Sequence, residues 1–493
     1  MSTRISKSRF VAGCQCPKRL WFQVHEPALA AEPEAAAKAI LQHGQEVGLL
    51  ARQMFPGGVE VSSESGLDQA IRMTRELVAN REVPAIFEAT FEHGGVLVRV
   101  DILQRRRDGR WRLIEVKSST DLKEDAFHLE DVAIQYRVLS RGGLDVASAC
   151  LAHINRDYVF QGASIDVRRF FKIRNLTRRV ERLQYDLTFR LRAFFSILNQ
   201  PKAPNLPPGP HCTDPVTCEF FNRCNSPRPS DHVGYLPRIQ ASAVEELVEM
   251  GIESIRDIPD DFPLNERQRH AATSVQTGKP WFSPELKGAL SGLKYPLYFM
   301  DFETINPAIP RFPDMRPYDY IPFQWSVHVQ KQPGTEPEHY EFLATDAGDP
   351  RREFIASLCP VLGERGSIVV YHQPFEEQRL SELATCLPEF AGRIKKIQRR
   401  LRDLLPVVRN HVYHPAFAGS FSLKAVLPAL VPGMTYKGMP VSNGQDAGLA
   451  WESLVRGGLD RDEHQRVRMA LLVYCGQDTL AMVKLLDKFR LFG

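Results

Sequence analysis

Asp101, Glu115 and Lys117 carry the first chemistry legible in this chain. Glu115 and Lys117 stand two apart, so on a strand they face the same side. Two carboxylates and an ammonium on one sheet face suit a divalent metal that activates water, with the lysine steadying the attacked phosphate. An exposed hairpin with a surface ion pair accounts for the same three residues equally well. A second set lies far downstream. Asp301 and Glu303 are again two apart, and Tyr474 and Asp478 are four apart, one face of a helix. Asp301 and Glu303 can share a pair of divalent ions, the arrangement of in-line phosphodiester cleavage. Asp478 would hold a metal and the Tyr474 hydroxyl would orient the attacking water. A lone D-x-E is common and by itself carries little.

These side chains need elements to position them. Residues 86–91 read as an extended run, Gly94-Gly95 as a tight turn and 96–103 as a second strand. Arg107-Asp108-Gly109 turns the chain again before a third strand at 111–116. Asp101 then lies on a central strand and Glu115 on its hairpin partner. Residues 127–139 predict a helix, with Ala126, Val132, Ala133 and Tyr136 among its apolar positions and Gln135 near its middle. Residues 295–300 predict a buried strand that ends with Asp301-Phe302-Glu303-Thr304. A short strand at 367–370 leads to His372, Phe375 and Glu376, and Asp403 and Lys424 follow. Residues 236–258 predict two short helices about Gly251-Ile252, either a plain spacer or a helix-hairpin-helix-like turn that holds a nucleic-acid backbone.

The chain has 493 residues and a net charge of +4, enough for two or three domains and too near neutral to predict a nucleic-acid partner by charge alone. Charge is local instead. Arg168, Arg169, Lys172, Arg174, Arg178, Arg179 and Arg182 crowd one segment, and Lys395, Lys396, Arg399, Arg400 and Arg402 another. Both predict amphipathic helices, with faces that are merely solvated or that contact phosphate. No run of about eighteen apolar residues predicts a membrane helix, and Met1–Phe10 lacks a signal core. The expectation is a cytoplasmic protein that binds no membrane, with its nine cysteines outside disulfides.

Cys150, Cys359, Cys386 and Cys475 lie among apolar residues and predict core thiols. Cys14 and Cys16 precede Pro17-Lys18-Arg19-Leu20-Trp21, and Cys212, Cys218 and Cys224 recur at even spacing. Three of these with one from the N-terminal pair could complete a four-thiolate site for Zn²⁺ or an iron–sulfur cluster.

The order D…ExK, then a helix bearing Gln135, resembles the RecB-like branch of the PD-(D/E)XK nucleases. The resemblance implies that Asp101, Glu115, Lys117 and Gln135 are catalytic, with Asp101 and Glu115 as metal ligands. It also implies a ligand on the first helix; Gly44 lacks the usual histidine spacing, leaving His43 or Glu46 as substitutes. Relatives of this branch bracket the nuclease core with one N-terminal and three C-terminal cysteines that hold a [4Fe-4S] cluster. Cysteine followed by Pro-Lys-Arg-Leu-Trp is similar to their opening motif, which assigns Cys16 with Cys212, Cys218 and Cys224 to a structural cluster.

Residues 293–493 resemble the DEDD exonucleases of ribonuclease-H-like fold, in the subgroup with a Tyr-x-x-x-Asp third motif. The resemblance implies Asp301, Glu303, Glu376 and Asp478 as metal ligands and Tyr474 as a further catalytic residue. The second motif departs, with Glu376 where the family has Asp; Glu376 is preferred to Asp403 because it follows a strand and Phe375. Together the resemblances imply an α/β tandem nuclease: 1–225 RecB-like, 226–292 a helical linker, 293–493 an exonuclease. They further imply Mg²⁺ or Mn²⁺ at oxygen ligands, DNA with single-stranded character favoured over RNA, and 3′-to-5′ degradation by the C-terminal half. No phosphate-binding G-x-x-x-x-G-K-[ST] loop is present, so unwinding would fall to a helicase or other DNA-processing partner. The alternatives are a nucleic-acid-binding scaffold with one or both sites decayed, and an RNA exonuclease.

Overall fold

Val96, Val98, Val100 and Ile102 are buried, and Leu97, Arg99 and Asp101 alternate with them. This period of two makes a strand. Among the described residues there are three sheets, and this strand lies within the largest, of seven strands. The computed structural model describes residues 4–32, 35–62, 64, 66–123, 127–225 and 229–492, and its architecture is mixed α/β. The chain folds as two units: Met1–Pro227 with Pro307–Asp319, and Arg228–Asn306 with Tyr320–Gly493.

The first unit begins with β1 (Ile5–Ser6), α1 (Lys7–Gln15), α2 (Pro17–His25), α3 (Ala35–Arg52), β2 (Val59–Glu60) and α4 (Leu67–Ala79). Then come β3 (Ala85–His93), β4 (Val96–Arg105), β5 (Trp111–Lys117), α5 (His128–Arg141) and β6 (Val146–Ile154). It closes with α6 (Val167–Phe170), β7 (Phe171–Asn175), α7 (Thr177–Leu198) and α8 (Phe221–Cys224). The sheet order is β2-β3-β4-β5-β6-β7. β4 changes partner along its length: β1 runs parallel to its first residues, Ile5 opposite Val96, and β5 antiparallel to its last, Ile102 opposite Ile114. The first unit's centre is built at this fork. Helix α1 is fixed beside it by Phe10, fully buried with its ring 5.7 Å from that of Phe194. Burying such a ring contributes about 2–3 kcal/mol. Gly13 permits the approach, because a Cβ there would meet the Phe194 ring at 2.9 Å.

The second unit starts with α9 (Ala241–Glu249), α10 (Glu266–Thr277), β8 (Trp281–Phe282) and α11 (Leu286–Leu290). Its sheet is built from β9 (Leu297–Ile305), β10 (Ile321–Gln330) and β11 (Glu338–Leu343), then, after α12 (Arg351–Val361), β12 (Ser367–Val370). Helices α13 (Gln373–Cys386) and α14 (Ala391–Gln398) precede β13 (Leu401–Asp403). The remainder is α15 (Leu405–His411), β14 (Val412–Tyr413), α16 (Leu423–Leu430), α17 (Gly444–Arg456) and α18 (Arg461–Phe492). The five strands lie in the order β11-β10-β9-β12-β13. β10 is antiparallel to β9 and β11, while β12 is parallel to β9 and β13. Every residue of β10 is buried, and α18 packs on β9 and β10. Among the described residues α18 is the one helix long and apolar enough to cross a membrane, but 67% of its apolar window is buried inside the unit.

Several elements differ from the sequence expectation. β9 starts at Leu297 and runs to Ile305, one residue past the expected end at Thr304. In 236–258 only α9 is α-helical: Ser254 caps a 3-10 turn at Ile255–Asp257, and Pro259 follows. Of the first basic segment only Arg178, Arg179 and Arg182 lie on the expected helix, α7. Asp166 caps the short α6, and Lys172 and Arg174 stand on β7 opposite His153 and Leu151 of β6. In the second, Lys395 and Lys396 lie on α14, but Arg402 is on β13. The Arg400 guanidinium is spent on the carbonyls of Leu362, Gly363, Arg365 and Gly366. Ala126 lies outside the described residues.

Candidate functional site

In the first unit, β5 separates from β4 beyond Ile114. The freed Val116 N–H donates to Asp101 Oδ2 at 2.7 Å, so the carboxylate takes the place of a ladder partner. Glu115 and Lys117 share one face of β5, and Lys117 Nζ lies 2.8 Å from Glu115 Oε1. Helix α5 adds Gln135, whose Nε2 donates to Glu115 Oε2 at 2.7 Å. The four residues expected from sequence are therefore brought together.

Two further residues enter that the sequence reading missed. Asp131, one turn before Gln135 on α5, bonds Lys117 at 2.5 Å. Lys7, the first residue of α1, bonds both oxygens of Glu115 at 2.9 and 3.0 Å. The i, i+4 spacing of Asp131 and Gln135 was the available signal; Lys7 had none, because it is 108 residues from Glu115. His43 and Glu46 lie on α3, where Gln42 Nε2 donates to Glu46 Oε1. Asp131 adds a third acid to this centre.

Burial would raise the Glu115 carboxyl, but the Lys117 and Lys7 ammonium groups outweigh it and hold it well below the usual range. Burial, with Glu115 beside it, pushes Asp101 up to about 7. As arranged, these residues do not fit a divalent ion. Each oxygen of Glu115 and Asp131 already accepts a bond, and Lys7 Nζ lies within 4 Å of all three acids. The Gln135 Oε1 is the acceptor left without a partner. A cleft beside the centre is lined by Lys7, Lys117, Lys123, Arg156 and Arg316 together with Asp131, Asp157 and Asp319.

The second unit presents the opposite electrostatics. Asp301 and Glu303 project from β9 toward α18, where Tyr474, Cys475 and Asp478 lie. One ligand atom each from Asp301, Glu303 and Cys475 falls within 4.8 Å of the others, the one such group found among the described residues. Glu303, Glu376 and Asp478 are 5%, 2% and 8% exposed. Burial, then Asp478, drives Asp301 well above the carboxylate range; burial, then Asp301 and Asp478, does the same to Glu303. Asp478 is pushed up to about 6 by burial, opposed by hydrogen bonding from Tyr436, the charge of Lys424 and hydrogen bonding from Tyr474. The Tyr436 hydroxyl donates to Asp478 Oδ1.

Glu376 is raised by burial and by Asp301, and its Oε2 is buried with no hydrogen-bond partner. Lys424 sits over the Tyr474 and Tyr436 rings at 5.3 and 5.8 Å. Asp301 and Glu303 are the carboxylates whose ligand atoms converge, and Asp478 and Glu376 interact electrostatically with Asp301. This excess of buried acid, with an orphaned carboxylate oxygen at Glu376, is compatible with a divalent ion at oxygen ligands.

Three placements here were not anticipated. Glu376 lies in the first turn of α13, not at a strand end; Pro374 at the helix start was the signal. Asp403 ends β13 rather than a basic helix. Its two oxygens accept from the backbone N–H groups of His372, Gln373 and Leu405 at 2.9–3.0 Å, which commits it to holding the turn. Cys475, expected to be a core thiol, is buried against the acids, while Cys386 is exposed.

Cys16, Cys212, Cys218 and Cys224 line one small cavity with Phe22 and Phe220. Cys16 follows the last residue of α1, and Gln15 Nε2 donates to the carbonyls of His211 and Val216 in the cysteine loop at 2.8 and 2.7 Å. The Cys218 N–H donates to the Cys212 carbonyl at 2.8 Å. Cys14 instead meets Arg190 of α7 at 3.7 Å, and burial pushes its thiol up to about 11.

The model of a family of domains of unknown function, DUF2779, matches residues 298–422. That stretch includes Asp301, Glu303, Glu376 and Asp403 and stops short of Lys424, Tyr474 and Asp478. The uncharacterized protein MG366 of Mycoplasma genitalium is 26% identical over 220 residues, 41% of this chain and 33% of its own length. Its homolog from Mycoplasma pneumoniae is 26% identical over 219 residues, 40% of this chain and 33% of its own. The chain thus spans about a third of the length of the curated relatives it matches.

Proposed function

We propose that this protein is a metal-dependent nuclease whose second unit hydrolyses phosphodiester bonds. The carrying observation is the set of buried acids Asp301, Glu303, Glu376 and Asp478, with Lys424 as the cation acting on three of them, Arg379 acting on Glu376, and Glu376 Oε2 unpartnered. Mg²⁺ or Mn²⁺ held by these four side chains would supply charge neutralisation at a phosphate and an activated water. Tyr474 lies one helical turn from Asp478 on α18, beside the acids, where its hydroxyl can orient a nucleophile. The mixed sheet, with β10 antiparallel beside β9 and β12 and β13 parallel on the other side, supports the reading drawn from the resemblance to ribonuclease-H-like exonucleases. That resemblance supports 3′-to-5′ removal of nucleotides from strands with single-stranded character, DNA in preference to RNA.

In the first unit the D…ExK…Q constellation supports a RecB-like centre. A specific observation favours a second reading there, a platform that holds nucleic acid: its acids are already neutralised by lysines, and a cleft with several cationic side chains adjoins them. The four cysteines support a structural cluster joining the two ends of this unit. Thiolates at these four positions suit a [4Fe-4S] cluster, with zinc as the alternative.

The test is cleavage of matched 5′-labelled DNA and RNA strands by pure protein with Mg²⁺ and with Mn²⁺. Stepwise shortening that requires metal and disappears on Asp301→Asn is expected. Metal-independent cleavage, or cleavage untouched by Asp301→Asn, would remove the assignment.

A further inference from the structure

The acids of the first unit enclose an ammonium. Lys7 Nζ lies 2.9 and 3.0 Å from the two oxygens of Glu115, 3.7 Å from Asp131 Oδ1 and 3.9 Å from Asp101 Oδ1. Three carboxylates converging on one cation is the arrangement a divalent ion would otherwise receive. Lys117 adds a second ammonium to Glu115 and Asp131. Local charge is then close to balanced without any metal.

The position of Lys7 is built into the fold. β1 pairs with the start of β4, filling the side of the fork that β5 leaves open. Ser6 caps α1 through the Arg9 N–H at 3.2 Å, so the helix begins at Lys7 and its first side chain enters the fork. Phe10 and Gly13 against Phe194 set the depth of the helix, and Gln15 ties its far end to the cysteine loop. Lys7 is therefore held at both ends of its helix.

We propose that Lys7 is a tethered cation that occupies the first unit's acid centre in place of a divalent ion. The first unit then excludes metal under conditions that fill the cluster of the second. This rests on reading Asp101, Glu115 and Asp131 as acids of the metal-binding type. Breaking a buried ion pair is costly enough that removing the competing ammonium should tighten metal binding at least about tenfold. The conservative Lys7→Arg keeps the charge and should leave the centre closed.

Mn²⁺ is the probe, because it prefers oxygen ligands and does not compete for the cysteines, and its binding is followed by electron paramagnetic resonance on the full chain without nucleic acid. The background is Asp301→Asn with Asp478→Asn, which disables the second unit's site. In that background the Lys7-containing chain should bind no Mn²⁺ in the range where wild type does. Adding Lys7→Met should create one site, and further Asp101→Asn should remove it. If the background with Lys7 intact binds Mn²⁺ and Asp101→Asn abolishes that binding, the inference is overturned; this arm needs no Lys7 variant to fold. Lys7→Met without a new site overturns it as well. A new Mn²⁺ site in a protein that cleaves no strand with any metal supports the Lys7 inference and sinks the nuclease reading, so the two fail separately.

Discussion

Replacing Asp478 by Asn should stabilise the metal-free protein. Asp478 is 8% exposed, and its carboxyl is moved from its ordinary 3.8 up to about 6. That net rise already includes the opposing help of Tyr436, Lys424 and Tyr474. A folded-state value raised above the unfolded one gives stability that is complete below about pH 4 and is lost as pH rises through about 6. A tenfold change in proton affinity is worth about 1.4 kcal/mol, so a rise of about a hundredfold places the loss on the order of 3 kcal/mol by neutral pH. Asn keeps an acceptor for the Tyr436 hydroxyl and does not ionise, so it should escape that loss. The assay is hydrogen exchange of peptides from α18 in a chelator, at about pH 4.5 and about pH 7, after correction for the intrinsic exchange rate at each pH. The variant should match wild type at the lower pH to within about 1 kcal/mol and exceed it at the higher. Metal should reverse the order: Mn²⁺ at about a hundred times its Kd would add about 2.7 kcal/mol to wild type, and little to the variant. A variant no more stable than wild type at neutral pH without metal would refute the claim that burial leaves this acid waiting for a cation.

Three further outcomes follow from individual contacts. Glu376→Gln should lower cleavage at least about a hundredfold, whereas Asp403→Asn should mainly cost about 1–3 kcal/mol of stability by loosening the turn that its backbone bonds hold; stopped assays beside denaturant melts separate the two. Arg400→Ala should destabilise the second unit by about 2 kcal/mol and leave affinity for a labelled single strand unchanged, as its guanidinium holds carbonyls. Protein purified without oxygen should be brown, and Cys218→Ala should lose both colour and iron on elemental analysis; one equivalent of zinc with no iron would instead assign zinc.

What the sequence disclosed follows the range of the physics involved. The spacing of Glu115 and Lys117, like that of Asp301 and Glu303, is legible because strand alternation is set by two residues. Tyr474 and Asp478 are legible because one helical turn brings them together. Asp131 carried such a signal but sat in the first turn of a helix, where an acid is ordinary for the helix dipole. Lys7 could not be read at all, and Lys424 only as a residue following the second motif: their relation to the acids exists only after β1 has paired with β4 and α16 has reached α18. The basic segment around Arg168 misled because charge density carries no periodicity; the buried pair Phe170 and Phe171 decides where helix gives way to strand.

The two acid centres meet the same electrostatic problem in opposite ways. Burying several carboxylates together is unfavourable unless cations accompany them. The first unit supplies those cations from its own chain, and its Glu115 is held ionised. In the second, Lys424 acts on Asp301, Glu303 and Asp478 and Arg379 on Glu376, yet Asp301, Glu303 and Glu376 are all driven toward the protonated form. A cluster in that condition destabilises the fold it belongs to, and a divalent ion relieves the cost while gaining oxygen ligands. On the proposed reading, the asymmetry puts the demand for metal in the second unit. In the first, any such demand depends on moving one lysine from the start of a helix whose other end is joined to the cysteine loop.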